Sequence, residues 1–109
     1  MNDRDPAAPV GAPLFLLSFR QRDELAAVTA NAGWRVVGAR RADGVARRFL
    51  ASGAAIALVD ARGALEEGLA ATRELGAVVS ANGAALLVLV SRGDIGRLGD
   101  FLSAGASHF

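Results

Sequence analysis

Short apolar runs alternate with longer amphipathic segments along this chain. The apolar runs show little alternation with polar residues, which is typical of strands buried on both faces. They occupy residues 14–17, 34–37, 55–59, 86–90 and 106–109. The intervening segments carry apolar residues three or four positions apart, which predicts amphipathic helices. These helices are expected over residues 21–32, 43–52, 64–82 and 94–104.

The same spacing predicts which side chains of each helix face the sheet. For the four helices in turn they are Leu25, Val28 and Ala32; Val45 and Phe49; Leu65, Leu69, Leu75 and Val79; and Ile95, Leu98 and Leu102. A glycine follows every predicted helix, where its left-handed conformation ends many helices. These glycines are Gly33, Gly53, Gly83 and Gly105.

Strands that alternate with helices form a parallel sheet through right-handed crossovers. The predicted fold is therefore α/β: a flavodoxin-like, doubly wound parallel sheet of five strands in the order 2-1-3-4-5, with the last helix missing. Residues 1–12 contain two prolines and a glycine, and we expect them to form a flexible tail. Residues 13–109 are expected to form one C-terminally truncated domain.

Composition narrows the classes of partner. The chain of 109 residues has no cysteine, which excludes disulfides and thiol chemistry and favours a cytoplasmic location. Its net charge of +1 argues against a nucleic-acid partner. No apolar stretch is long enough to span a membrane, and the polar N-terminus is unlike a signal peptide. We therefore expect neither a membrane nor a nucleic-acid partner.

Asp60 ends the third predicted strand, at the edge where parallel α/β sheets bind ligands. A phosphate-accepting aspartate there needs neighbouring acids to hold Mg²⁺. It also needs a fixed cation, which is usually lysine, for the phosphoryl charge. This chain has no lysine, since all twelve basic residues are arginine. Asp60 thus occupies a reactive position without the expected supporting groups.

Two interpretations remain open for each candidate residue at this edge. Asp60 is either a phosphoacceptor or the first residue of a type I turn that ends at Gly63. Arg62 is either an anion partner or a solvated loop residue. Ser91 contacts either a phosphate or the backbone amides of the following loop.

Two further features lie outside this edge. Paired arginines recur seven residues apart and could share a helical face: Arg40, Arg41, Arg47 and Arg48. Such a face suits an acidic partner or nucleic acid, but a solvated charged face is the favoured interpretation because no aromatic residues accompany it. Gly93, Gly96 and Gly99 are expected to weaken the fourth helix rather than to hold a phosphate.

The layout resembles the receiver domain of bacterial response regulators over roughly residues 13–109. Asp60 matches the phosphoacceptor position, and Ser91 matches the Ser or Thr that contacts the phosphoryl group. The segment 104–109 resembles the Ala-Gly-Ala motif that leads into the fifth strand. Two parts of the family pattern are absent. Ser18-Phe19-Arg20 stands where the family has an acidic pair, and the lysine near the end of strand five is missing.

The resemblance implies a signalling module that is not an enzyme. We expect a degenerate receiver that acts by protein–protein contact, through dimerisation or control of an attached output domain. Similar receivers precede enzymes that make or break cyclic di-GMP. One alternative is a working receiver of a two-component system that accepts a phosphoryl group on Asp60 and uses Mg²⁺; otherwise no cofactor is expected. Another is a small-ligand domain that uses Ser18, Asp60 and Ser91.

The missing final helix predicts exposed apolar surface on one face of the last two strands. Such surface is commonly buried by another chain, which favours a homodimer or a fragment of a longer protein. In the receiver family, the region of helix four and strand five often supplies dimer contacts. The resemblance therefore implies an interface formed by Ile95, Leu98, Phe101 and Leu102. The first helix is the other candidate surface.

Overall fold

The computed structural model describes residues 11–20, 22–41 and 43–108. Four parallel strands form one sheet in the order β2-β1-β3-β4. The strands are β1 (Pro13–Ser18), β2 (Arg35–Ala39), β3 (Ile56–Asp60) and β4 (Ala85–Leu89). The helices are α1 (Arg22–Asn31), α2 (Val45–Ser52), α3 (Leu65–Ala81), a 3-10 helix (Arg92–Arg97) and α4 (Leu98–Ala104). The predicted flavodoxin-like α/β fold is confirmed.

The expected fifth strand is represented by a single bridge beside β4. His108 pairs with Leu87 in parallel orientation. The N–H of Ser107 donates to the carbonyl of Leu86 at 2.8 Å, and the N–H of Val88 donates to the carbonyl of His108 at 3.1 Å. The described residues therefore hold four strands plus one bridge at the fifth position. Residues 1–10 of the expected tail, and Phe109, lie outside the described residues.

The main core lies between one face of the sheet and the helices α2, α3 and α4. Its largest fully buried members include Phe15, Phe49 and Phe101. The rings of Phe15 and Phe49 meet edge to face, with centroids 5.8 Å apart. On the opposite face, four apolar strand residues are only half-buried: Ile56, Leu58, Leu87 and Leu89. That face matches the incomplete cover expected for the last strands.

Glycine ends the helices as the sequence predicts. The backbone is left-handed at all four positions, with φ of 100° at Gly33, 70° at Gly53, 67° at Gly83 and 124° at Gly105. A side chain would be strained in this conformation. None of the described helices combines the length and hydrophobicity of a membrane span.

The inward faces are confirmed for α2 and α3 and partly wrong for α1. Val45 and Phe49 are buried, as are Leu69, Leu75 and Val79. In α1, by contrast, Val28 is 59% exposed and faces away from the sheet. Thr29 is half-buried instead, and its hydroxyl donates to the carbonyl of Leu25 at 3.0 Å.

The predicted inward face of the fourth helix is also wrong. Ile95 is 56% and Leu102 is 44% exposed, whereas Phe101 is 1% exposed and lies in the core. The segment begins as a 3-10 helix with three residues per turn, which rotates the later side chains relative to an α-helix. Phe101 is therefore corrected from an interface residue to a core residue.

Candidate functional site at the carboxyl edge of the sheet

The candidate site lies where β1, β3 and β4 end. Ser18, Asp60 and Leu89 are register partners on these three adjacent strands. Because side chains at paired positions of a parallel sheet point to the same face, Ser18 stands beside Asp60. Ser91 follows two residues after Leu89, in the loop that leaves β4.

Asp60 is completely buried, and both of its carboxylate oxygens accept hydrogen bonds. The Ser18 hydroxyl donates to Oδ2 at 2.7 Å. The Arg62 guanidinium donates from Nε to Oδ1 at 2.7 Å and from Nη2 to Oδ2 at 3.0 Å. The Arg62 backbone N–H donates to Oδ1 at 3.2 Å. This is the bidentate geometry in which arginine binds carboxylate most strongly.

A tight turn places Arg62 over Asp60. The N–H of Ala64 donates to the carbonyl of Ala61 at 3.1 Å, and Gly63 has a φ of 73°. The turn is therefore closed one residue later than predicted, with Gly63 third rather than fourth. One amide of this turn, the backbone N–H of Arg62, donates to the Asp60 carboxylate.

Other charged residues hold this turn from outside. Arg62 Nη2 lies 3.8 Å from Glu24 Oε1 of α1. Arg20 donates from Nε to the carbonyl of Gly63 at 2.9 Å. Arg20 comes from the loop after β1, where the family pattern has an acid. At this edge the chain therefore presents two guanidinium groups around one buried carboxylate.

Electrostatics keep the Asp60–Arg62 pair ionised. Burial alone raises the pKa of Asp60. Hydrogen bonds from the Arg62 side chain, the Ser18 hydroxyl and the Arg62 backbone, together with the Arg62 charge, hold this pKa below its ordinary value of 3.8. The hydrogen bond to Asp60 in turn raises the pKa of Arg62. Asp60 is therefore a carboxylate at neutral pH and carries no proton to donate.

The residues around Asp60 do not fit Mg²⁺. That ion needs several oxygen ligands, usually with one or two carboxylates among them. Both Asp60 oxygens are engaged by a cationic guanidinium. In residues 11–20, 22–41 and 43–108, no three or more His, Cys, Asp or Glu side chains are grouped where they could hold a metal ion.

Of the two contacts open for Ser91, its side chain does not make the one that would cap the following helical turn. Its backbone carbonyl accepts the N–H of Asp94 at 2.8 Å, which starts the 3-10 helix. Its hydroxyl makes no capping bond to that helix. Ser18, which the sequence implicated only through the small-ligand alternative, is the hydroxyl that contacts Asp60.

Two other surfaces bear on the sequence predictions. Ile95 and Leu102 are exposed and Leu98 is half-buried, so these three remain candidate interface residues. A surface depression elsewhere is lined by Arg73, Asp100, Ser103 and Ala104. It shares no residue with the group Ser18, Asp60 and Ser91 that the small-ligand alternative requires.

The sequence did not indicate the roles of Arg20 and Glu24. Arg20 follows β1 and Glu24 lies in α1, and both come more than thirty residues before Asp60 in the chain. Only the pairing of β1 with β3 brings them next to the turn after Asp60. The useful signal was the order Asp-Ala-Arg-Gly, because a tight turn allows its arginine to fold back onto its aspartate.

Comparisons with solved structures identify the fold. No family model matches the chain, and no curated protein matches it. A response regulator receiver protein from Pseudomonas putida is 22% identical, with a TM-score of 0.69 over 93% of this chain and 85% of that chain. A proposed pilus assembly protein (cpaE) from Burkholderia thailandensis is 20% identical, with a TM-score of 0.70 over 89% of this chain and 82% of that chain.

A third structure was solved with a phosphorylated aspartic acid, a calcium ion and citrate. This response regulator from Burkholderia pseudomallei is 19% identical, with a TM-score of 0.72 over 89% of this chain and 57% of that chain. At these identities the similarity concerns the fold. The chain has the fold of response regulator receiver domains.

Proposed function

We propose that this chain is a receiver-type regulatory module that works by protein–protein contact and does not accept a phosphoryl group on Asp60. The observation that carries the proposal is the closed bridge between Asp60 and Arg62. It buries the carboxylate completely and engages both of its oxygens. We also propose that the module is cytoplasmic, which the absence of cysteine favours.

Phosphorylation of Asp60 requires a carboxylate oxygen that is free to attack phosphorus. In phosphoryl transfer the attacking and leaving oxygens lie roughly in line, and metal ions neutralise the developing charge. Here Arg62 covers both carboxylate oxygens, and the other groups beside the turn are the Ser18 hydroxyl, Arg20 and the Glu24 carboxylate, which faces Arg62. Opening the bridge would expose the Asp60 carboxylate, but the described residues group no three metal-binding side chains there.

The same bridge supports a role as a fixed scaffold. Through it, Ser18 of β1, Asp60 of β3 and the turn containing Arg62 are joined. Glu24 and Arg20 connect the turn to α1 and to the loop after β1. We infer that the edge keeps one conformation and that regulation passes through surfaces elsewhere on the domain.

Titration with beryllofluoride and Mg²⁺, followed by amide NMR, tests this proposal. Wild type is expected to give the same spectrum with and without the reagent, as Asp60→Asn does. Arg62→Ala is expected to behave likewise, because freeing the carboxylate does not create a metal site. Saturable shifts around Asp60 in wild type that Asp60→Asn abolishes would contradict the proposal.

A working receiver is the second candidate function. It is favoured by the position of Asp60 at the ligand-binding edge and by the fold shared with a response regulator that carries a phosphorylated aspartic acid. In this mechanism, Arg62 would leave Asp60 and balance the phosphoryl charge. Ser91 would be the phosphoryl contact, and Asp60, freed from Arg62, would be the carboxylate available to Mg²⁺. The NMR titration separates the two candidates.

We propose that the partner of the module is another protein, an attached output domain or a second copy of this chain. An enzyme that makes or breaks cyclic di-GMP is the output class that the resemblance implies. The reading frame beyond the codon for Phe109 tests that assignment, because such an enzyme domain would be encoded there. The small-ligand alternative is tested by a thermal-shift screen with nucleotides and anions, since ligands that bind the native state raise its apparent stability.

A further inference from the structure

Four exposed arginines lie together at the start of α2. Arg40 and Arg41 begin the loop that follows β2, and Arg47 and Arg48 lie in the first turn of the helix. Asp43 is the one acid in the segment 40–48. We call Arg40, Arg41, Arg47 and Arg48 the arginine surface.

The contacts of this surface leave most of its charge unpaired. Arg48 Nη1 reaches the carbonyl of Arg41 at 3.5 Å, which brings the two halves of the surface together. Arg40 Nη2 lies 4.0 Å from Asp23 Oδ1, and because both side chains are well exposed this pair contributes little. Among the described residues, Arg41, Arg47 and Arg48 have no carboxylate within ion-pair distance.

Arg47 and Arg48 stand at the end of α2 where positive charge destabilises a helix. The N-terminus of a helix carries a partial positive charge, so acids are favourable there and cations are unfavourable. The first turn of α2 contains no acid, and Gly44 provides no side-chain cap. Folding therefore gives no reason for Arg47 and Arg48 to stand at this end.

An exposed apolar side chain adjoins the charges. Leu50 is 52% exposed and follows Arg47 by three residues, so both lie on one side of α2. A ligand that carries carboxylates beside an apolar group would complement these arginines and Leu50. Nucleic acid matches it less well, because the net charge is only +1 and α2 carries no exposed aromatic residue.

We propose that the arginine surface, together with Leu50, is the docking site for an acidic amphipathic segment of a partner protein. Its carboxylates pair with the arginines, and its apolar side covers Leu50. This site is distinct from the exposed residues Ile95 and Leu102. This docking site presupposes that the chain is the regulatory module proposed above. It does not depend on whether Asp60 accepts a phosphoryl group.

Binding of a synthetic amphipathic peptide, with glutamates on one side and leucines on the other, tests the site. Fluorescence anisotropy with the full chain is expected to show saturable binding that weakens as salt is raised. Amide NMR shifts are expected to cluster in residues 40–50. Arg47→Ala with Arg48→Ala is expected to raise Kd about tenfold, as expected for the loss of two ion pairs.

The matched control is Arg73→Ala with Arg92→Ala. It removes the same charge from two exposed arginines that make no ion pair among the described residues. This control is expected to leave Kd unchanged. The melting temperature of the Arg47/Arg48 variant should equal or exceed that of wild type, because a repulsion with the helix dipole is removed.

Three results would overturn the docking proposal. They are absence of peptide binding at low salt, equal weakening by the control variant, and tighter binding of a DNA or RNA oligonucleotide than of the peptide. None of these results bears on whether Asp60 is phosphorylated. Conversely, an adduct on Asp60 would leave peptide binding to α2 unaffected.

Discussion

The charge of Asp60 is balanced inside the protein by its own near neighbour in the chain. A buried carboxylate without a partner is strongly unfavourable, since it loses hydration and gains nothing in return. The Arg62 side chain is 27% exposed, so it covers Asp60 while part of its guanidinium meets solvent. This arrangement makes Arg62 the residue on which the ionised state of Asp60 depends.

We predict that Arg62→Ala destabilises the fold by about 1–3 kcal/mol, because it leaves a buried carboxylate with only the Ser18 hydroxyl and a backbone amide. Urea unfolding measures this loss. Arg92→Ala removes an exposed arginine that makes no ion pair within the described part of the chain, and it should change stability by no more than about 0.5 kcal/mol. Equal stability of both variants would show that the bridge has no energetic role.

The same pair predicts a dependence of stability on acid. The folded pKa of Asp60 lies below its ordinary value of 3.8, so the unfolded chain binds the proton more readily. The stabilisation by ionised Asp60 is complete at neutral pH. It decreases as the pH falls below that ordinary value, and it is lost once the pH is below the folded pKa. In Asp60→Asn the unfolding free energy should fall less steeply over this acid range. Parallel curves for the two proteins would contradict the assignment.

Helix α3 packs closely against its neighbours at two glycines. A Cβ on Gly68 would stand 2.5 Å from the Cβ of Ala61, and one on Gly76 would stand 2.5 Å from the carbonyl oxygen of Ala104. Both neighbours are short or part of the backbone, so they cannot move aside easily. These glycines thus set how closely α3 approaches β3 and α4.

Gly76→Ala is expected to destabilise the protein by about 1–3 kcal/mol through overpacking, although alanine is the better helix former. Gly99→Ala in α4 is the control, because a Cβ there meets nothing within 4 Å. It should leave stability unchanged or raise it by up to about 1 kcal/mol. Thermal or urea unfolding compares the two. Stabilisation by Gly76→Ala would show that α3 has room to move.

The inward sides of α2 and α3 were predicted correctly from the sequence, and those of α1 and α4 were not. In α2, Val45 and Phe49 leave no doubt about the inward side. In α1 the competing positions are alanine, threonine and a single valine, so the spacing of Val28 was misleading. The 3-10 turns before α4 rotate the later side chains relative to a continuous α-helix, and Phe101 therefore lies in the core.

At the candidate site, the sequence predicted the position of Asp60 but not the contacts around it. Asp60 is recognisable because a carboxylate that ends a buried strand has a fixed place at the sheet edge. The bridge to Arg62 depends on where a turn closes, and that differed by one residue from the expectation. The contacts from Arg20 and Glu24 depend on strand pairing across the sheet, which local sequence does not encode.

At the scale of the whole domain, the proposed homodimer can be tested by changing its exposed apolar side chains. We predict that wild type sediments as a dimer at high concentration. Ile95→Glu with Leu102→Glu should make it monomeric, because each change places a charge on a surface that the dimer buries. Leu50→Glu on α2 is the control, since Leu50 is 52% exposed and lies outside both candidate dimer surfaces. A wild type that remains monomeric would contradict the dimer.

The central claim is that Asp60 is closed by Arg62 and lacks a metal site, so the domain does not use phosphorylation. Intact mass spectrometry after incubation with acetyl phosphate and Mg²⁺ tests this most directly. One unmodified mass is expected for wild type, Arg62→Ala and Asp60→Asn alike. A phosphoryl adduct on wild type that is absent from Asp60→Asn would contradict it.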